Sequence, residues 1–191
     1  MADNSHTQLR AQIYANTQGI DAGENLDLDA AEVIHVKHKN ASYERGPGQF
    51  DVPEWVKWQQ YSTVTWARYS NGTSRSGAWF LEANKSNTSG ASIFQDIPIV
   101  TTPGESYTFS IWLRKNGSGT RAARVVLWGI GGPSGNENTV YTIPNLSGTW
   151  VQYSVTRNIT LNDHTSLKAE IYLDSGPNLN YDFDGSKLVK N

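Results

Sequence analysis

Between Tyr107 and Lys115 the chain alternates without a break. Tyr107, Phe109, Ile111 and Leu113 fall on one side, and Thr108, Ser110, Trp112 and Arg114 on the other. A period of two sends successive side chains to opposite faces of a strand, so one face is buried and the other meets water. Seven further segments predict strands: Ser76–Ala83, Ser92–Ile99, Ala122–Ile130, Thr139–Ile143, Trp150–Thr156, Ser166–Asp174 and Tyr181–Val189. Turn signals separate them at Asn71-Gly72, Ser89-Gly90, Pro103-Gly104, Asn116-Gly117, Gly131-Gly132-Pro133, Ser147-Gly148 and Gly176-Pro177. Short strands at this spacing, with few helical patterns, predict an all-β fold over 37–191, an antiparallel two-sheet jelly-roll sandwich.

Residues 1–36 are different. They lack Trp and Pro, and their sparse apolar positions mix helical spacing (Leu9, Ile13) with strand spacing (Leu26, Leu28). The pattern predicts an irregular N-terminal arm that packs on its own sandwich or anchors the domain to protein neighbours in an assembly.

Composition narrows the function. A formal net charge of -2 in 191 residues lacks the basic excess that phosphate recognition needs, which argues against nucleic acid. No apolar run approaches a membrane span, and the N-terminus shows no signal-peptide core. That pattern leaves two expected locations, extracellular or virion-associated. The absence of cysteine excludes disulfides, thiolate metal sites and Cys nucleophiles. Seven Trp and nine Tyr point to recognition through aromatic rings or to an aromatic all-β core.

Six short signals occur in a fixed order. They are Asn40-Ala41-Ser42-Tyr43-Glu44 followed by Trp55; Gly77-Ala78-Trp79-Phe80-Leu81; Ile93-Phe94-Gln95-Asp96-Ile97; Pro103-Gly104 before the Tyr107 strand; Gly148-Thr149-Trp150 with Tyr153; and Tyr181-Asp182-Phe183-Asp184 with Leu188. In this order, over roughly 34–190, the chain resembles the β-jelly-roll carbohydrate-binding modules attached to bacterial xylanases and glucanases. It departs from them at Gly185-Ser186, where the family carries an acidic or polar residue and then an aliphatic one.

The resemblance implies that Ser92–Ile99, Ala122–Ile130, Thr139–Ile143 and Ser166–Asp174 share the sheet whose outer face is the saccharide cleft. Alternation then sorts the faces. Leu167, Ala169, Ile171 and Leu173 turn inward, so Lys168, Glu170, Tyr172 and Asp174 turn outward. In the same way Val125 and Leu127 leave Arg124 and Trp128 outside, and Tyr141 is expected to join them from the neighbouring strand. A pyranose offers an apolar C–H face to Trp or Tyr and hydroxyls to fixed donors and acceptors. Trp128, Tyr172, Tyr141, Arg124 and Glu170 supply both, so they are the candidate carbohydrate-binding residues. The same rings would also serve a protein interface or simple packing. Trp112, Arg114 and Trp79 are placed on the opposite sheet.

The resemblance further implies a structural Ca²⁺ between Glu44 and Asp184, with backbone oxygens completing its shell. His35 and His38 lack a third ligand, His6 and His164 look isolated, and Gly129-Ile130-Gly131-Gly132 is not a phosphate loop. Candidate acids (Glu82, Asp96, Glu170, Asp174) fall in no hydrolase motif. Two non-catalytic functions follow: a glycan-binding or adhesion domain displayed on a larger assembly, or a virion structural or decoration protein anchored by its arm.

Overall fold

The computed structural model describes residues 43, 44, 46, 48–50, 52–59, 64–86, 90–161, 164–174 and 179–191. The arm at 1–36, Asn40 to Ser42, His6, His35, His38 and Gly176-Pro177 lie outside them. Ten strands follow one another: β1 Val56–Gln59, β2 Val64–Tyr69, β3 Phe80–Lys85, β4 Ala91–Pro98, β5 Ser106–Asn116, β6 Ala123–Gly132, β7 Gly135–Ile143, β8 Val151–Asn158, β9 Ser166–Leu173 and β10 Leu179–Lys190. They form two five-stranded sheets, ordered β1-β4-β9-β6-β7 and β2-β3-β10-β5-β8, and every pairing is antiparallel. We call these sheets A and B.

Each strand does what its alternation dictates. In β9, Leu167, Ala169, Ile171 and Leu173 are buried, and in β5 so are Tyr107, Phe109, Ile111 and Leu113. With Ile93, Ile97, Val125, Leu127, Leu81 and Phe183 they make one continuous core between the sheets. Each large aliphatic or aromatic side chain removed from water there contributes roughly 1.5–3 kcal/mol before the entropy of ordering is counted. The four strands expected to share a sheet do so as β4, β6, β7 and β9, and Trp112 and Arg114 stand on the other sheet in β5.

Two differences from the sequence reading matter. The short strands β1 and β2 were not expected, because VKWQ and VTWARY carry too few alternating apolar positions to stand out. Residues 76–79, expected to open a strand, form an irregular loop, and β3 starts only at Phe80. The loop bends because it wraps two carboxylates. Ala78 and Trp79 donate their amides to Glu44 Oε1 at 3.0 Å each. Arg75 and Ser76 donate theirs to Asp184 Oδ2 at 2.7 and 2.8 Å. Gly77 adopts φ +62°, and a Cβ there would collide with the Glu44 carboxylate. The Gly185-Ser186 departure is a local irregularity in β10, where pairing with β5 slips between Asp184 and Lys187.

A buried arginine holds the segment that precedes β1. Arg68, 3% exposed on β2, donates to the carbonyls of Tyr43 (3.0 Å), Gly46 (2.8 Å) and Gly48 (2.7 Å). Its own amide donates to Gln49 O at 2.7 Å, and its guanidinium lies 4.8 Å from the Trp79 ring. These carbonyls belong to no sheet, so the fork supplies the donors that strands would otherwise provide. Replacing Arg68→Met keeps the apolar stem and removes the fork. We expect a loss of about 2–3 kcal/mol in thermal or urea unfolding and new protease cleavage within 43–50. Cleavage unchanged from the wild type would contradict this role.

Candidate functional site

The outer face of sheet A is built from three rows of side chains set by strand register. One row runs Trp58, Ser92, Tyr172, Arg124 across β1, β4, β9 and β6. The next runs Val56, Phe94, Glu170, Val126, and the third runs Asp96, Lys168, Trp128. Between them lies a cleft of about 400 Å³ lined by Trp58, Phe94, Trp128, Lys168, Glu170 and Tyr172, together with Ile130 and Asn136.

Glu170 organises this face. It is only 6% exposed, and burying a charged carboxylate is costly unless its oxygens are paired. Ser92 Oγ donates to Oε1 at 2.7 Å, and Trp128 Nε1 donates to Oε2 at 3.0 Å. The carboxylate therefore fixes the plane of the Trp128 indole. Tyr172 stands beside it; burial, reinforced by Glu170, pushes its phenol up to about 12, so it stays a neutral donor. Cations cover parts of the rings. Arg124 lies 4.9 Å from the Tyr172 ring and 3.3 Å from Asp174, and Lys168 lies 4.2 Å from the Phe94 ring and 3.8 Å from Asp96.

Of the candidates named from sequence, Trp128, Tyr172, Arg124 and Glu170 stand on this face together. Tyr141 does not join them. Its register partner on β6 is the core residue Val125, so it leans toward sheet B and meets the Tyr153 ring at 6.2 Å. Trp58 and Phe94 were missed. Phe94 was legible, since Ile93, Gln95 and Ile97 are all buried and leave it on the other side. Trp58 depends on β1, whose four residues carry no clear period.

The sequence of this sandwich matches the profile of a known family, described as a carbohydrate binding domain, over residues 40–180. The chain belongs to that carbohydrate-binding domain family. No curated protein sequence matches the domain. Its fold is similar to that of the carbohydrate-binding module TmCBM61 in complex with β-1,4-galactotriose: TM-score 0.58, 13% identity, covering 83% of this chain and 100% of that one. It is also similar to tailspike protein 4 of bacteriophage CBA120, with TM-score 0.62, 15% identity and coverage of 82% of this chain. The domain spans only 21% of that tailspike chain. A third likeness is to the Stig cyclase Fisc from Fischerella sp. TAU, with TM-score 0.62, 17% identity and coverage of 82% and 96% of the two chains. At these identities the three structures establish the fold of the domain.

The pair expected to hold calcium, Glu44 and Asp184, does not present a calcium donor set. Besides the four amide donors of the loop at 75–79, Asp184 Oδ1 accepts from the Gly185 amide at 2.6 Å and from Ser76 Oγ at 3.1 Å. Burial pushes the Asp184 carboxyl up in spite of these donors. Calcium takes six to eight oxygens, whereas these carboxylates are met largely by N–H groups. Among the described residues no group of three or more His, Asp or Glu is arranged to hold a metal ion.

His164 is also not isolated. It is fully buried, and Nε2 lies 3.1 Å from Glu137 Oε1. Its ring rests on Gly129, where a Cβ would overlap it, so the first glycine of the Gly129-Ile130-Gly131-Gly132 run serves packing. Glu137 is also bonded to Arg157 Nη2 and receives the Thr160 amide at 3.0 Å. Burial pushes the Glu137 carboxyl up, but the Thr160, Arg157 and His164 hydrogen bonds outweigh it and hold it at about 2.

Two outcomes follow. A folded-state value near 2 against the ordinary 4.5 means Glu137 stabilises the fold above pH 4.5 and loses that effect as pH falls toward 2. Glu137→Gln should therefore lower the melting temperature at pH 7, with the gap to wild type closing toward pH 2; a gap independent of pH would refute the assignment. Melting with a calcium chelator should match melting with added Ca²⁺. A chelator-induced drop would mean the loop at 75–79 opens to admit the ion.

Proposed function

We propose that this domain binds a polysaccharide or cell-surface glycan across the outer face of sheet A, without catalysing its cleavage. The observation that carries this reading is the convergence of Trp58, Phe94, Trp128 and Tyr172 in one cleft around the hydrogen-bonded Glu170. Four rings offer faces to sugar C–H groups. Lys168, Asn136 and the Tyr172 hydroxyl offer polar partners to equatorial hydroxyls.

The absence of cleavage is supported by the site's acids. Among the described residues lining the cleft, Glu170 is the one carboxylate, and both of its oxygens are engaged by Ser92 and Trp128. Glycoside hydrolysis needs a pair on opposite sides of the bond. The glycan ligand in the TmCBM61 complex and the family match support the same reading.

In this reading the domain is displayed outside a cell or on a virion, and residues 1–36 tether it to protein neighbours. The phage tailspike likeness is the observation behind the second reading, a virion structural or decoration domain making protein contacts. The ring-and-acid arrangement favours sugar.

Affinity gels containing xylan, β-glucan or β-1,4-galactan test the choice. Trp128→Ala and Tyr172→Ala should each weaken retention roughly tenfold or more, and Trp58→Ala should weaken it as well. Tyr141→Ala, on the far side of the strand, should leave it unchanged. Wild-type retention by all three ring variants would remove the sugar reading.

A further inference from the structure

A second cleft, larger than the first, lies on the opposite side of the molecule. It occupies about 590 Å³ on the outer face of sheet B and is lined by Tyr69, Phe80, Glu82, Arg114, Asn116 and Asn180, among others. Its floor follows from register. Glu82 of β3, Asp182 of β10 and Arg114 of β5 are direct neighbours in one row, and Asn84, Asn180 and Asn116 form the next.

The chemistry of this cleft is assembled rather than incidental. Arg114 is clasped between two rings, 4.4 Å from Trp150 and 5.2 Å from Phe80. Its Nε donates to Asp182 Oδ2 at 2.7 Å, and Nη2 donates to Thr73 Oγ1 at 2.8 Å. Trp150 is itself held by donating Nε1 to Thr73 O at 2.8 Å, and its ring meets Phe80 edge-on at 5.9 Å. Asn116 Nδ2 donates to Glu82 Oε2 at 3.0 Å. Asp182 is fully buried, yet its Oδ1 has no hydrogen-bond partner.

The charges select the ligand class. Arg114 is balanced by Asp182, and Lys115 Nζ is turned to Gly119 O at 2.7 Å and Asn145 Oδ1 at 3.3 Å. Neither cation is offered to an anion. Burial, with Arg114 opposing it and Glu82 adding to it, brings Asp182 to about 6, so this balance holds at neutral pH. What remains is the half-buried Tyr69 ring with amide and carboxylate groups, a surface suited to an uncharged hydroxylated ligand.

We infer that sheet B carries a second, independent saccharide-binding cleft built on Tyr69, Glu82, Arg114, Asn116 and Asn180, with Trp150 behind Arg114, so that one domain holds two glycan segments on opposite faces. The two clefts are separated by the thickness of the sandwich, on the order of 10 Å between sheets plus the side chains on either face. A ligand in one therefore does not obstruct the other. The inference does not rest on the sheet A cleft, because none of its residues line that site.

The two indole N–H groups are separate reporters. Xylohexaose, cellohexaose and β-1,4-galactotriose should be titrated into the protein while the Trp150 and Trp128 indole signals are followed by NMR. At least one sugar should shift the Trp150 signal saturably. That shift should persist in Trp128→Ala and weaken at least tenfold in Asn116→Ala or Glu82→Gln. Both of these variants should keep the wild-type Trp128 indole signal in the absence of sugar, which shows that they are folded. Three results would overturn the inference: no shift at Trp150 with any of the sugars, a Trp150 shift that disappears in Trp128→Ala, or one unaffected by Asn116→Ala and Glu82→Gln. A response at Trp150 with none at Trp128 would support it while removing the reading of sheet A.

Discussion

A carboxylate placed on the outer face of a sheet normally stays in water. Glu170 is buried instead, and the geometry of sheet A depends on how that burial is made tolerable. Its two oxygens need donors from both sides, and β9 has β4 on one side and β6 on the other. Ser92 comes from the first and Trp128 from the second. A slip of one residue in either pairing would turn one donor into the core and leave a charge unpaired. The interaction therefore ties the register of the three central strands to the orientation of the Trp128 ring.

Much of this was legible in the sequence because period two is a strong signal. The strand carrying Leu167, Ala169, Ile171 and Leu173 had one reading only, and it delivered Lys168, Glu170 and Tyr172 to the outer face. The same logic placed Arg124 and Trp128. It failed where burial does not enforce a period. On edge strand β7 both Val140 and Tyr141 are about half exposed, so composition alone does not say which way Tyr141 turns; its pairing with Val125 does. β1 is another edge strand, too short to show a pattern, and Trp58 was lost with it. The bend at 76–79 was hidden for a different reason. Glu44 and Asp184 lie far apart in sequence, and only the folded chain shows both carboxylates capping one loop.

The exposed aromatic rings that first suggested recognition are seldom bare. Arg68 lies over Trp79, Arg75 over Trp112, Arg114 over Trp150, Arg124 over Tyr172 and Lys168 over Phe94. Such stacking holds long side chains in place and keeps apolar faces from self-association. On sheet A it also means that a sugar approaches rings whose positions are set in advance, which reduces the entropy lost on binding.

His164 sits where it does because Gly129 has no side chain. The two positions therefore share one volume. A side chain at 129 would displace the imidazole, and the carboxylate at 137 would lose a partner with it, so the absence of one atom at a glycine holds an ion-pair cluster in place on the neighbouring strands.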